Sequence, residues 1–308
     1  MLQNKPSRSS VTDKMVKTGV FVGLITLDCI YQTAHALQPN EKQVAEAVLL
    51  AAGGPATNAA IAFRALGGQA RLVGVLGQHP LAAVVRDDLA QHGVELIDLM
   101  PETIIPPPFS SIVVNRTTGD RAVISRNAAD RPRPKTLPSP TVLNHVDCLL
   151  IDGHQMTVGE KLAQPARQRQ IPVVVDGGSW KAGFERVLPL ATVVIAAANF
   201  APPGVGSEAA AMAYLRSLQI PQVAVTRGER SILYATPTQS GELAVPSIQP
   251  VDTLGAGDIF HGAFCAQYGG SPDFLSALMG ASQVAAMACQ SFGTRQWISQ
   301  LPAASLWG

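Results

Sequence analysis

The 308-residue chain has almost no net charge, because 23 Lys and Arg stand against 22 Asp and Glu. A balance of +1 leaves no broad basic surface for nucleic acid or acidic lipid. No apolar run reaches the roughly 18 residues that a membrane-spanning helix needs before Gly, Pro or a polar residue interrupts it. Cysteine is scarce: Cys29, Cys148, Cys265 and Cys289 stand far apart, with no Cys-x-x-Cys pair. That spacing argues against a structural zinc site and fits small buried thiols in a reducing cytoplasm. Aromatic residues make up 5% and charged residues 15%, whereas 47% of the chain is apolar. Such a composition can bury a large core and excludes disorder over most of the length. Residues 1–17 are polar, lack the apolar stretch of a signal peptide and read as a disordered leader. Residues 18–308 read as one domain.

Short β-branched runs recur at residues 20–25, 72–76, 148–151, 173–175, 193–195 and 223–225. Continuous rather than alternating apolarity fits strands covered on both faces. Helix-like segments lie between them, at 56–66, 81–92, 158–170, 207–217, 258–268 and 272–289. Two of these end at Gly67 and Gly93, a helix-stop signal. The alternation predicts an α/β fold: a doubly wound, mostly parallel sheet with helices on both faces. Residues 33–50 and 110–126 break the rhythm, and the second reads as a hairpin turning at Gly119. Both are expected to form a small β-sheet lid. Residues 231–234 and 243–245 are expected to pair antiparallel at the main sheet's edge, and the Pro-rich stretch 131–140 to be a surface linker.

The sharpest chemical feature is Asp252-Thr253-Leu254-Gly255-Ala256-Gly257-Asp258, followed by a helix. Small residues at a helix N-terminus let N–H groups approach an anion, and the helix adds partial positive charge. A carboxylate at Asp258 could take a proton from an attacking hydroxyl. An ordinary N-capping aspartate would occupy the same place. Asp28 and Asp176 each follow an apolar strand, where open α/β sheets bind ligands, although both could be turn residues. His154 follows a strand in the same way and is a candidate neighbour of the site or contact of the lid. Asn58 could be a plain helix residue, and Gly53-Gly54 a plain turn.

Asp-Thr-x-Gly-Ala-Gly-Asp with Phe260 resembles the C-terminal signature of the phosphofructokinase-B family of ribokinase-like sugar kinases. The N-terminal signature is present as Gly53-Gly54-Pro55-Ala56-Thr57-Asn58-Ala59-Ala60, with Leu66-Gly67 and Val73-Gly74-Val75-Leu76-Gly77 after it. The resemblance spans residues 18–295, and the two motifs together, in this order, are highly specific. Phe260-His261-Gly262-Ala263 is especially similar to the sulfofructose-kinase and ketohexokinase-like branches.

The resemblance implies a core of about nine strands with a β-lid over the sugar, often used as a dimer clasp. It implies ATP and Mg²⁺ as cofactors, a small-molecule sugar or sugar phosphate as partner, and a homodimer through the lid. It assigns Asp258 as general base and Gly255, Ala256 and Gly257 as the anion hole. Thr226 and Gly228, with Gly255 and Gly257, match the ATP-phosphate contacts. Asp28, Gly53, Gly54 and Asn58 match the sugar wall. A monovalent cation such as K⁺ would lie near Asp252 and Gly293.

Three departures stand out. Where many members have Asn-x-x-Glu, and the ketohexokinase-like branch Ser-Glu-x-Phe, this chain reads Ala196-Ala197-Ala198-Asn199-Phe200. The glutamate that helps organise magnesium is missing. After Gly77, the usual Asp is His79 and a usual Gly is Leu81. Pro55 stands where ribokinases often have Lys, which argues against ribose. The expected activity is ATP-dependent phosphorylation of a sugar hydroxyl. A nucleoside kinase and a non-catalytic binding relative are the alternatives.

Overall fold

The computed structural model describes residues 16–126, 134–269 and 273–301. Most of the expected leader and residues 131–133 of the expected linker lie outside them. Lys17, inside the expected leader, donates from Nζ to the carbonyls of Ala266 and Gln267 at 2.9 and 3.1 Å.

Seven parallel strands form most of a nine-stranded sheet: β1 (Thr18–Val22), β4 (Gln69–Gly74), β5 (Glu95–Asp98), β8 (Cys148–Ile151), β9 (Val173–Gly177), β10 (Val193–Ala197) and β11 (Gln222–Arg227). Two antiparallel strands, β12 (Arg230–Ala235) and β13 (Ser240–Leu243), complete one edge, giving the order β13-β12-β11-β10-β9-β8-β1-β4-β5. The central strands are buried along their length, as their unbroken apolar runs require. Helices α1 (Pro55–Ala65), α2 (Pro80–Gln91), α6 (Ala256–Tyr268) and α7 (Phe274–Ala288) bury one face of the sheet. Helices α3 (Met156–Gln168), α4 (Phe184–Val187) and α5 (Glu208–Ser217) bury the other. Among the described residues no helix is long and apolar enough to cross a membrane.

A second sheet has the order β3-β2-β6-β7, from β2 (Thr26–Thr33), β3 (Ala47–Gly53), β6 (Phe109–Asn115) and β7 (Arg121–Arg126). It takes up the expected lid segments 33–50 and 110–126 only in part: residues 34–46 form no strand, and β2 begins before the expected bounds. The run at 20–25 is not one strand: the chain leaves the main sheet after Val22 and enters the lid at Thr26. A side chain at Gly23 would collide with the Asp152 carboxyl, its Cβ falling 2.0 Å from that group. Asp28 therefore sits within a lid strand rather than at the end of a core strand. The expected edge hairpin at 231–234 and 243–245 also forms, with its second strand shifted back to Ser240–Leu243.

Pairing register gives the lid two faces. Asp28, Ala51, Ser110 and Ser125 lie abreast on the inner face. Ile30, Ile112 and Val114 follow on that face and pack on Leu254, in the loop before α6, and on Phe292. Tyr31, Val48, Leu50 and Ile124 point the other way and are exposed.

Candidate active site

The candidate residues gather at the C-terminal ends of the parallel strands, between the main sheet and the lid. Gly255 adopts φ 70° just before α6, a left-handed conformation that glycine takes without penalty. This turn aims the helix N-terminus at the cleft. The first intrahelical bond joins the Ile259 N–H to the Gly255 carbonyl at 2.8 Å. The N–H groups of Gly257 and Asp258 therefore precede the helix ladder and are free to meet an anion. A Cβ on Gly257 or Gly228 would meet nothing within 4 Å, so both glycines border open space. Thr226 ends β11 beside Ala197, with its hydroxyl donating to the Ala196 carbonyl at 3.4 Å.

Asp258 lies in the first turn of α6 and accepts from Asn58 Nδ2 at 2.9 Å. Burial, reinforced by the nearby Asp176 carboxylate, pushes its pKa up to about 7, against the Asn58 hydrogen bond. Asp176 ends β9 and is itself raised by burial. His261 lies 3.6 Å from Asp176, one turn beyond Asp258, and its two ring nitrogens face the carbonyls of Gly257 (2.7 Å) and Ile195 (3.2 Å). Asp176 thus lies beside Asp258 and His261.

Asp28 is buried, accepts from Thr26 Oγ1 at 2.8 Å, and has its pKa raised by burial against hydrogen bonds from Thr26 and Ser110. Gly53 passes so close that a Cβ there would lie 1.9 Å from Asp28 Oδ2. Gly54 has φ 102°, and its Cβ would strike the Leu24 carbonyl at 2.3 Å. Pro55 then opens α1 at a position where its missing N–H costs nothing. The paired glycines and the proline therefore have a local reason: they fold the loop between β3 and α1 tightly around Asp28.

Asp152, at the end of β8, is a hub that sequence reasoning did not single out. One oxygen accepts from the Leu24 and Ala56 N–H groups at 2.8 and 3.0 Å. The other accepts from the His154 N–H at 2.9 Å and lies 3.3 Å from its ring. Burial opposes its ionisation, yet His154 and these N–H groups hold its pKa below the usual carboxylate value. His154 thus acts on the site through Asp152. Asp252, fully enclosed, ties the loop to the C-terminal segment by accepting from the Leu254 and Gly293 N–H groups at 2.8 Å each.

The other departures also have places. His79 caps α2 by accepting from the Leu81 N–H at 3.2 Å, and Asp98 of β5 accepts from the Leu76 and Gly77 N–H groups. That loop is therefore fixed without the usual aspartate. Ala198 and Asn199 are exposed just beyond β10, beside Thr226. Sequence reasoning missed Arg295, which donates to Asn58, and Asp88, which accepts from Arg295. No motif marks them, and 207 residues separate the pair.

A family model described as pfkB family carbohydrate kinase matches residues 17–301. The chain is 25% identical to a ribokinase of Bacillus subtilis (strain 168), over 89% of this chain and 93% of that protein. Its fold matches ribokinase of Giardia lamblia with a TM-score of 0.77 at 19% identity, covering 93% of this chain and 98% of the other. It also matches ribokinase of Arabidopsis thaliana, solved with ribose and ATP, with a TM-score of 0.69 at 18% identity and coverages of 91% and 94%.

Proposed function

The chain belongs to the pfkB family of carbohydrate kinases, phosphotransferases with an alcohol acceptor, and on that premise we propose that it transfers the γ-phosphoryl group of Mg·ATP to a hydroxyl of a sugar or sugar phosphate. The observation that carries this reading is Asp258. A carboxyl with a pKa of about 7 stands in the first turn of a helix whose unpaired N–H groups face the same space. A base poised near neutrality is half ionised where the cell works.

In this reading Asp258 takes the proton of the acceptor hydroxyl as its oxygen attacks the γ-phosphorus in line. The bond to the ADP oxygen breaks, and ADP leaves with the electron pair. The N–H groups of Gly255 and Gly257 would face the oxygens over which charge spreads, whereas the Ala256 N–H, also expected in the anion hole, donates instead to the Thr253 carbonyl at 3.3 Å. Thr226 and Gly228 border the path of the ATP phosphates. Asp28 binds sugar hydroxyls with Gly53, Gly54 and Asn58, and the Asp28-Ser110-Ser125 strip favours a polyhydroxylated acceptor. Mg²⁺ enters with ATP and keeps most of its waters. A monovalent cation such as K⁺ would sit beside Asp252.

The test is ADP release from Mg·ATP over ketoses, aldoses, sugar phosphates and nucleosides, with and without K⁺. Turnover on one sugar should fall about 10²–10⁴-fold in Asp258→Asn while ATP binding persists. Retained activity in that variant would remove Asp258 from the chemistry, and turnover confined to nucleosides would replace the acceptor class.

The absent glutamate favours a second reading, a relative that binds ATP and sugar without turnover. Ala198 is exposed beside the phosphate path, so a carboxylate there would face the solvent-filled cleft. Ala198→Glu is expected to lower the Mg²⁺ concentration at half-maximal rate about two- to tenfold, read from an Mg²⁺ titration. An unchanged titration would show that this position has no part in metal use.

A further inference from the structure

Asn58 stands between two groups of opposite demand. On one side is Asp258, whose ionised carboxylate only accepts hydrogen bonds. On the other is Arg295, whose guanidinium only donates. Arg295 Nη1 reaches Asn58 Oδ1 at 3.0 Å, and Asn58 Nδ2 reaches Asp258 Oδ2 at 2.9 Å. A free asparagine amide has two orientations of equal shape, and only one serves both neighbours. Reversed, it would set an oxygen against the carboxylate and an N–H₂ group against the guanidinium.

Arg295 is itself held from several sides. Nη2 pairs with Asp88 Oδ2 at 3.0 Å and donates to the Ala52 carbonyl, while Nη1 also bonds Thr294 Oγ1 at 2.8 Å. The pair is nearly enclosed, with side-chain exposures of 10% and 13%. Burial alone would raise Asp88, but His92, Arg295 and the Ala52 N–H hold its pKa down to about 2. The ion pair therefore persists over the working pH range. It joins α2, the end of β3 and the C-terminal segment at one point, one amide away from the expected base.

We infer that Arg295 is a positioning residue for the general base: it holds the Asn58 amide in the orientation that donates to Asp258 and so favours the ionised carboxylate. This rests on the reading of Asp258 as the base. A donor to the charged form lowers a carboxyl's pKa, and loss of that donor raises it. The other charged groups facing Asp258 are Asp176 from β9, Asp152 from β8 and His261 from α6. Those facing Arg295 are Asp88 from α2, His92 just beyond it and Asp28 from β2.

The test follows the Asp258 carboxyl carbon by NMR in the full chain labelled at aspartate Cγ, its signal assigned by its loss in Asp258→Asn. Two variants are compared with the wild type, Arg295→Met and Arg295→Met with Asp88→Asn. The double variant removes one charge of each sign, leaves no buried carboxylate unpaired, and guards against misfolding of the single one. Its Asp258 midpoint is expected to rise by about half a unit to one unit. With a sugar that turns over, kcat/KM should fall several-fold at pH 6.5 and recover toward wild type near pH 9. A purely structural defect would lower it equally at both. A midpoint that moves in the single variant but not in the double would trace the effect to bare Asp88 charge and overturn the inference, as would a midpoint that moves in neither. A protein that shows the shift but phosphorylates no sugar supports the positioning and overturns only the kinase reading.

Discussion

At the scale of single residues, the cleft is built from carboxyls held away from their ordinary ionisation. Asp28, Asp176, Asp252 and Asp258 are raised by burial, whereas Asp152 is held low by His154 and backbone N–H groups. A raised acid has a consequence for stability. Between about pH 4 and pH 7 the folded state keeps a proton on Asp258 that the unfolded chain releases, so stability falls as pH rises through that window. Above pH 7 the ionised carboxylate is fully present in its partly desolvated place. Asn fills the same shape without ionising and can still accept from Asn58 Nδ2. Asp258→Asn is therefore expected to be more stable than the wild type at pH 8, by about 1–3 kcal/mol or several degrees in Tm. The gap should close as pH falls to about 4. Equal Tm values at pH 8, by differential scanning calorimetry, would exclude a strained carboxylate at this position.

At the scale of elements, the lid and the Gly-rich loop before α6 share contacts. Ile30, Ile112 and Val114 pack on Leu254 and Phe292, and the turn at Gly119 lies against the carbonyls of Pro250 and Val251. Arg121, opening β7, donates to Thr253 Oγ1 beside Asp252. A shift of the lid would thus be felt at the loop that precedes α6. Arg121→Ala removes one exposed hydrogen bond, worth about 1 kcal/mol or roughly fivefold. The expected outcome is a sugar KM raised about three- to tenfold with kcat within about twofold, read from steady-state kinetics. A fall in kcat alone would instead place Arg121's role in the chemical step.

These contacts also mark what was legible beforehand. The parallel strands and their helices were readable because continuous apolar runs and glycine stops are local signals. The anion loop was readable because a Gly-rich turn before a helix is local too. The break after Val22 was not, because the carboxyl that forbids a side chain at Gly23 comes from Asp152, far along the chain. Arg295 and Asp88 were not legible for the same reason, since their pairing exists only once α2 and the C-terminal segment meet.

At the scale of the whole molecule, the lid presents a problem of exposure. Its inner face is occupied by Asp28 and the apolar trio, but its outer face shows Tyr31, Val48, Leu50 and Ile124 to solvent. Directly paired residues on neighbouring strands share a face, so these side chains form one continuous patch rather than scattered exposures. Val48 and Leu50 lie on edge strand β3 and Ile124 on edge strand β7, so the patch spans the lid from edge to edge. A second copy of the chain would cover it by symmetry, since one self-complementary patch suffices for a two-fold dimer. If the lid covers the acceptor as proposed, a dimer built this way would hold each lid in place over its own site. Leu50→Lys with Ile124→Lys sets charge at both edges of that surface without touching the inner face. Sedimentation equilibrium is expected to show a dimer for the wild type and a monomer for this variant, with sugar KM raised and ATP KM unchanged. A wild type that sediments as a monomer at micromolar concentration would leave the lid's order to the contacts of Arg121 and Leu254 within one chain.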